Sequence, residues 1–117
     1  MDMEDCKFER PWGYYVNVFE EPGMKMKKIA VYENKRLSLQ SHEHRSEHWV
    51  ITQGKGRVQV GDDFHELGVN SHVYIPKKVK HRMENIGDEL LVFTETQIGS
   101  YLGEDDIKRY QDDFGRA

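Results

Sequence analysis

The chain has 117 residues, 32% of them charged and 37% hydrophobic, and a formal net charge of −4. That length fits one compact domain burying roughly two thirds of its unfolded surface, with no room for a second. The basic residues are scattered rather than massed, which argues against a nucleic-acid partner, and no apolar run approaches the length of a membrane span.

The N-terminus MDMEDCKFER is acidic and polar, unlike a signal peptide, so the expected location is cytoplasmic. Cys6 has no second cysteine to pair with and reads as an incidental thiol of a reducing compartment. Beyond this leader, apolar residues recur with period two and turn residues fall every eight to twelve positions, an all-β rhythm. The predicted strands are YYVNVFE (14–20), KMKKIAVY (25–32), RLSLQSHEH (36–44), HWVITQG (48–54), GRVQVG (56–61), FHEL (64–67), SHVYIP (71–76), HRMEN (81–85) and ELLVFTETQ (89–97). Nine short strands in so small a domain predict a jelly roll or closed barrel. Only the tail, 101–117, reads as a short helix: Gly103 precedes acidic residues suited to a helix start, and Ile107, Tyr110 and Phe114 fall on one face. One domain spans 1–117, with its core at about 10–100.

The stretch QSHEHRSEHW (40–49) gathers three histidines and two glutamates. If 36–44 is one strand, Arg36, Ser38, Gln40, His42 and His44 share a face and Leu37 and Leu39 point the other way. The polar face then lines a pocket, and the leucines are covered by another strand or a second subunit, which predicts a homodimer. In the next strand Glu47, Trp49, Ile51 and Gln53 share a face, and in HRMEN His81, Met83 and Asn85 do, so a distant histidine can join the cluster. The pattern suggests a metal site, with a polar turn as the competing explanation. His65 and His72, isolated on their strands, read as ordinary surface or hydrogen-bonded side chains.

RLSLQSHEHRSEHWVITQG followed by GVNSHVYIPKKVKHRMEN resembles the two motifs of the cupin superfamily. More narrowly, RPWGYY, RLSLQ.H.HRSEHW and GSYLGEDDI resemble the type II mannose-6-phosphate isomerase domain, and the similarity runs over residues 10 to 116. That domain usually forms the C-terminal part of bifunctional mannose-1-phosphate guanylyltransferase/mannose-6-phosphate isomerases, and the chain reads as a freestanding version without pyrophosphorylase activity. The implied fold is all-β, the cupin double-stranded β-helix or jelly-roll barrel. Two positions depart from the motifs: Asn34 replaces the leading glycine of the first, and Lys78 replaces the glycine after Pro76 in the second. Asn tolerates left-handed backbone better than most residues, so the first change is mild; the second predicts a differently shaped loop before His81.

Counted from Asn34, five residues lead to Gln40, one to His42, four to Glu47 and six to Gly54, so Gln40 falls where the first motif histidine would be. The resemblance thus implies Gln40, His42, Glu47 and His81 as ligands of one divalent ion, zinc first and cobalt, manganese, nickel or iron as alternatives, with His44 beside them as the alternative ligand. The implied substrate is a small phosphosugar, and the implied reaction is interconversion of mannose 6-phosphate and fructose 6-phosphate through an enediol. The ion would polarise the carbonyl, and His44, if free of metal, would carry the proton. Arg36, Arg82 or Lys28 would anchor the phosphate, with Asn85 in the substrate-binding set; a salt bridge across the sheet is the competing role for Arg36. A non-catalytic sugar-binding or regulatory cupin and an iron-dependent oxygenase are the rival functions.

Overall fold

The computed structural model describes residues 7–117; Cys6 lies outside them. Alternating apolar patterns and frequent turn residues produce eleven strands among the described residues: β1 (Lys7–Arg10), β2 (Gly13–Glu21), β3 (Met24–Val31), β4 (Leu39–Ser41), β5 (Arg45–Gln53), β6 (Gly56–Val60), β7 (Asp63–Leu67), β8 (His72–Ile75), β9 (His81–Asn85), β10 (Leu91–Gly99) and β11 (Lys108–Gln111). They form a six-stranded sheet, β1-β2-β3-β10-β5-β8, and a five-stranded sheet, β11-β4-β9-β6-β7, with antiparallel pairing throughout. No helix among the described residues is long and apolar enough to cross a membrane.

The sheets face each other across a core of Trp12, Ile29, Val31, Leu37, Trp49, Ile51, Val58, Ile75, Met83, Leu91 and Phe93. Fully burying a side chain such as Phe93 or Ile51 contributes about 1.5–3 kcal/mol. The register makes the interior two-ended. Ile29, Phe93 and Ile51 lie side by side across β3, β10 and β5; one step along the strands lie Lys27, Glu95 and Trp49, and the next row is Lys25, Gln97 and Glu47. All six of these are buried. Three strands therefore run from an apolar end into a buried charged layer, which is where the site forms.

Two expectations are corrected. The tail is not helical: residues 108–111 form β11, paired with β4. The open edge of β4 takes up the tail's backbone groups, and that pairing overrides a weak helical periodicity. The strand expected at 36–44 shrinks to Leu39–Ser41, preceded by an isolated bridge between Arg36 and Glu84 and followed by a bend at Glu43 and His44. Alternation therefore fails on both sides of β4. Leu37 enters the chain's own core and Leu39 is buried within the same chain, so of the two covers expected for the leucines the structure supplies the one within the chain.

Candidate metal centre

His42 follows β4, Glu47 lies inward on β5 and His81 opens β9, and these three side chains converge. One ligand atom from each lies within 4.8 Å of the other two, and all three residues are buried. Nε2 of His42 is 3.3 Å from Oε2 of Glu47, and Nε2 of His81 is 3.7 Å from Oε1. Ligand atoms bound tetrahedrally at zinc's usual bond lengths are about 3.4 Å apart, so the separations suit such an ion.

The imidazoles are held in the tautomer that ligation needs. His42 Nδ1 donates to the Asp106 carbonyl at 2.6 Å, and His81 Nδ1 donates to the Val79 carbonyl at 2.9 Å, leaving both Nε2 lone pairs aimed at the shared point. Burial, with Arg45 and His81 beside it, brings the His42 pKa down to about 4; burial does the same for His81. Both rings are neutral at pH 7, as metal ligands must be. Asp106 also shapes the loop: its carboxylate accepts the Glu43 and His44 amides at 2.9 and 3.0 Å, creating the bend after His42. The loop before His81 is tied to the same place, since Lys78 N–H donates to the His42 carbonyl at 2.7 Å.

The other residues named from sequence divide clearly. Gln40 is the cross-strand partner of His81 and lines the same cavity; its amide group donates to Ser38 Oγ at 3.0 Å, and no donor among the described residues reaches its Oε1. His44 is exposed, its ring edge-on to Tyr101, and it is neither in the cluster nor on the cavity wall, because the Asp106-capped bend turns it away. Arg36 makes a bidentate pair with Asp113 at 2.8 and 2.9 Å. Arg82 donates to the Leu37 carbonyl and Gln111, and with Arg36 it lines a separate groove on the far face of the five-stranded sheet. Lys28 sits on the outward face of β3, and Asn85 spends its amide closing the turn to Glu89. None of these four reaches the cavity. His65 and His72 are exposed.

The cavity holds about 230 Å³. Its floor carries Glu47, His81, Trp49 and two groups the sequence reading passed over, Arg45 and Glu95. Arg45 donates through Nε to Glu47 Oε2 at 2.7 Å and through Nη2 to His42 Nε2 at 3.2 Å, so it occupies a lone pair that an ion would use and has to withdraw from it on loading. Trp49 Nε1 donates to both Glu47 and Glu95, at 3.1 and 3.0 Å, and Gln97 donates to Glu95 at 2.8 Å. Burial and the adjacent Glu47 push Glu95 up to about 7. Lys27 lines the wall and donates to Glu104 at 2.6 Å; Lys25 also donates to Glu104. Arg10, Arg109 and Arg116 complete the lining. Arg45 was readable in sequence, two positions before Glu47 on the same strand face, and so was Glu95, two after Phe93. Arg109 was not, because the tail was expected to be helical.

The family model for the mannose-6-phosphate isomerase C-terminal domain matches residues 2–112. The chain belongs to this family. It is 44% identical over 111 residues to the xanthan biosynthesis protein XanB of Xanthomonas campestris, covering 95% of this chain and 24% of that protein. It is also 44% identical to the alginate biosynthesis protein AlgA of Pseudomonas aeruginosa (96% and 23%), and 41% identical to mannose-1-phosphate guanylyltransferase ManC of Salmonella typhimurium (92% and 22%). The chain thus spans about a quarter of the length of these relatives. Among solved structures it resembles oxalate decarboxylase from Bacillus subtilis, with a TM-score of 0.82, 15% identity and coverage of 93% of this chain and 31% of that one. It also resembles the cupin domain of Schizosaccharomyces pombe Cnp3, with a TM-score of 0.71, 18% identity and coverage of 74% and 64%. At those identities the likeness establishes the fold, an all-β cupin.

Proposed function

We propose that this chain is a metal-dependent isomerase domain interconverting mannose 6-phosphate and fructose 6-phosphate. The observation that carries the reading is the convergence of His42, Glu47 and His81, of which Glu47 and His81 line a cavity that also holds a buried carboxylate, Glu95. Moving a proton between C1 and C2 requires a base within reach of both carbons and a water-poor site. His44 cannot serve from its exposed bend, and Glu95, on the wall beside the cluster with a pKa near neutrality, takes that part. Trp49 and Gln97 fix the Glu95 carboxylate in place.

Gln40, His42, Glu47 and His81 would hold the ion, with zinc the first choice for two imidazoles and a carboxylate. Bound there, a divalent cation supplies Lewis acidity toward the sugar oxygens. With an ion held there, Arg45 would give up its contact with His42 and keep its pair with Glu47. The names of XanB and AlgA refer to xanthan and alginate biosynthesis, and we extend that context, supply of mannose units for polysaccharide, to this chain. A cytoplasmic location goes with this reading, because a phosphosugar's charge keeps it out of lipid.

A coupled assay with fructose 6-phosphate tests the proposal. EDTA is expected to abolish turnover, and zinc, cobalt or manganese to restore it, with solvent deuterium appearing at C2 of mannose 6-phosphate. Binding of the sugar phosphate without turnover would leave a sugar-binding module instead, and oxygen uptake with ferrous iron would favour an oxygenase.

A further inference from the structure

The cationic side of the cavity has more charge than the chain neutralises. Lys27 is paired with Glu104, and Arg45 with Glu47. Arg116 is held by Asp112 through a two-pronged pair at 2.8 and 3.0 Å. Arg10 and Arg109 have no carboxylate partner among the described residues. Arg10 donates only to the Glu9 carbonyl and the Tyr15 hydroxyl. Nε of Arg109 is buried and has no acceptor. An unsatisfied buried donor on a charged side chain is costly and calls for an explanation, and on the wall of a cationic cavity an anion supplies one. Burial and the neighbouring charges of Arg116 and Arg10, partly offset by Asp112, lower the pKa of Arg109, so the charges of Arg116 and Arg10 both act on the Arg109 guanidinium.

The sheet register says how far this cluster lies from the metal ligands. His81, Gln40 and Arg109 are successive cross-strand partners on β9, β4 and β11. Cross-strand partners point to the same face, and strands are about 4.8 Å apart, so the Arg109 backbone stands about 10 Å from that of His81 along one wall. With the arginine side chain reaching back into the cavity, that suits a ligand whose reacting end is at His81 and whose anionic end is several bonds away.

We propose that Arg10, Arg109 and Arg116 form a phosphomonoester site at the mouth of the cavity, with Arg109 as its central donor. The assignment rests on the isomerase reading for the identity of the sugar but not for the anion. It puts the phosphate of a hexose 6-phosphate against the tail strand β11 while the carbonyl end meets His42, Glu47 and His81. Arg36, Arg82 and Lys28, the anchors expected from sequence, take no part.

The test is calorimetric titration of the full chain with inorganic phosphate, as purified and again after EDTA, alongside Arg10→Gln, Arg109→Gln, Arg109→Lys and, as a surface control, Arg57→Gln. Losing a charged hydrogen-bond donor weakens binding by roughly ten- to a hundredfold, so Arg109→Gln should lose that much, Arg109→Lys less, and Arg57→Gln nothing. Mannose 6-phosphate should displace bound phosphate, and mannose should not. Without phosphate, Arg109→Gln should melt no lower than the parent, because it removes an unsatisfied buried donor. Four results would each overturn the assignment: no saturable phosphate binding by the parent chain, loss of that binding on EDTA treatment, parental affinity in both Arg10→Gln and Arg109→Gln, or a much lower melting point for Arg109→Gln. Phosphate binding as expected without sugar turnover would leave the anion site standing and remove the isomerase; turnover with an unchanged KM in Arg109→Gln would do the reverse.

Discussion

His42 and His81 can act as ligands because a backbone carbonyl, from Asp106 or Val79, takes the proton of each Nδ1 and burial keeps each ring neutral. Replacing His42, Glu47 or His81 by Ala should weaken metal binding by more than the roughly ten- to hundredfold that loss of a ligand's hydrogen-bond partner brings. His44→Ala should leave metal stoichiometry unchanged, and Gln40→Ala should lower affinity; metal analysis after gel filtration checks all five. Asp106→Ala removes the acceptor that bends Glu43 and His44 away from the strand line. It should cost metal affinity roughly tenfold, measurable by competition with a chromogenic chelator, although Asp106 has no contact with the ion site except through its carbonyl.

At the scale of elements, the turns hold the ligand-bearing strands in register. Asn34 and Lys78, the two residues in place of motif glycines, both adopt left-handed backbone, with φ of 63° and 69°. Lys78, in the loop before His81, thus takes a glycine-like conformation with a lysine side chain. Lys78→Gly should stabilise the fold modestly or leave it unchanged, because relief of a left-handed residue worth about 1 kcal/mol is offset by a more flexible unfolded chain. Gly54, which ends β5, tolerates no such exchange: its φ is 84° and an added Cβ would lie 2.8 Å from the Leu90 carbonyl oxygen. Gly54→Ala should cost about 2 kcal/mol or more in a denaturant titration, through strain and displacement of the strand that carries Glu95.

For the whole molecule, two carboxylates paired with the cavity's cations, Glu104 and Asp112, make stability depend on acid pH. Burial would raise Glu104, but Lys27 and Lys25 outweigh it and bring it down to about 2, from an ordinary value of 4.5; Arg116 brings Asp112 to about 2 from 3.8. Carboxylates lowered in the folded state contribute stability that is present above their unfolded pKa and is lost as pH falls through the folded value. The melting temperature should therefore drop between about pH 4.5 and 2, and Glu104→Gln should flatten that slope while lowering stability at neutral pH, where it leaves two buried lysines without their shared partner. The outward face of the six-stranded sheet keeps Val50, Tyr74 and Ile98 exposed. We expect a homodimer to form there; sedimentation giving only the 13.8 kDa species would remove that expectation.

Period-two alternation is a local property, so the sequence alone was enough for most strands, for Glu47 facing inward with Trp49 and Ile51, and for His81 on the inward face of its strand. Motif spacing was likewise enough to name His42, Glu47 and His81 together. Alternation holds only while the backbone stays extended, and it broke wherever a distant group reset it. The Asp106 carboxylate, more than sixty residues away, turns His44 outward, and the free edge of β4 draws the tail into a strand. Arg36 was grouped with the site by a shared strand face, and Arg82 and Lys28 as neighbours of it, but in the fold Arg36 pairs with Asp113, Arg82 lines a separate groove and Lys28 lies on the outward face of β3. Arg10 and Arg109, from opposite ends of the chain, reach one cavity only because β1 and β11 occupy the edges of the two sheets that enclose it.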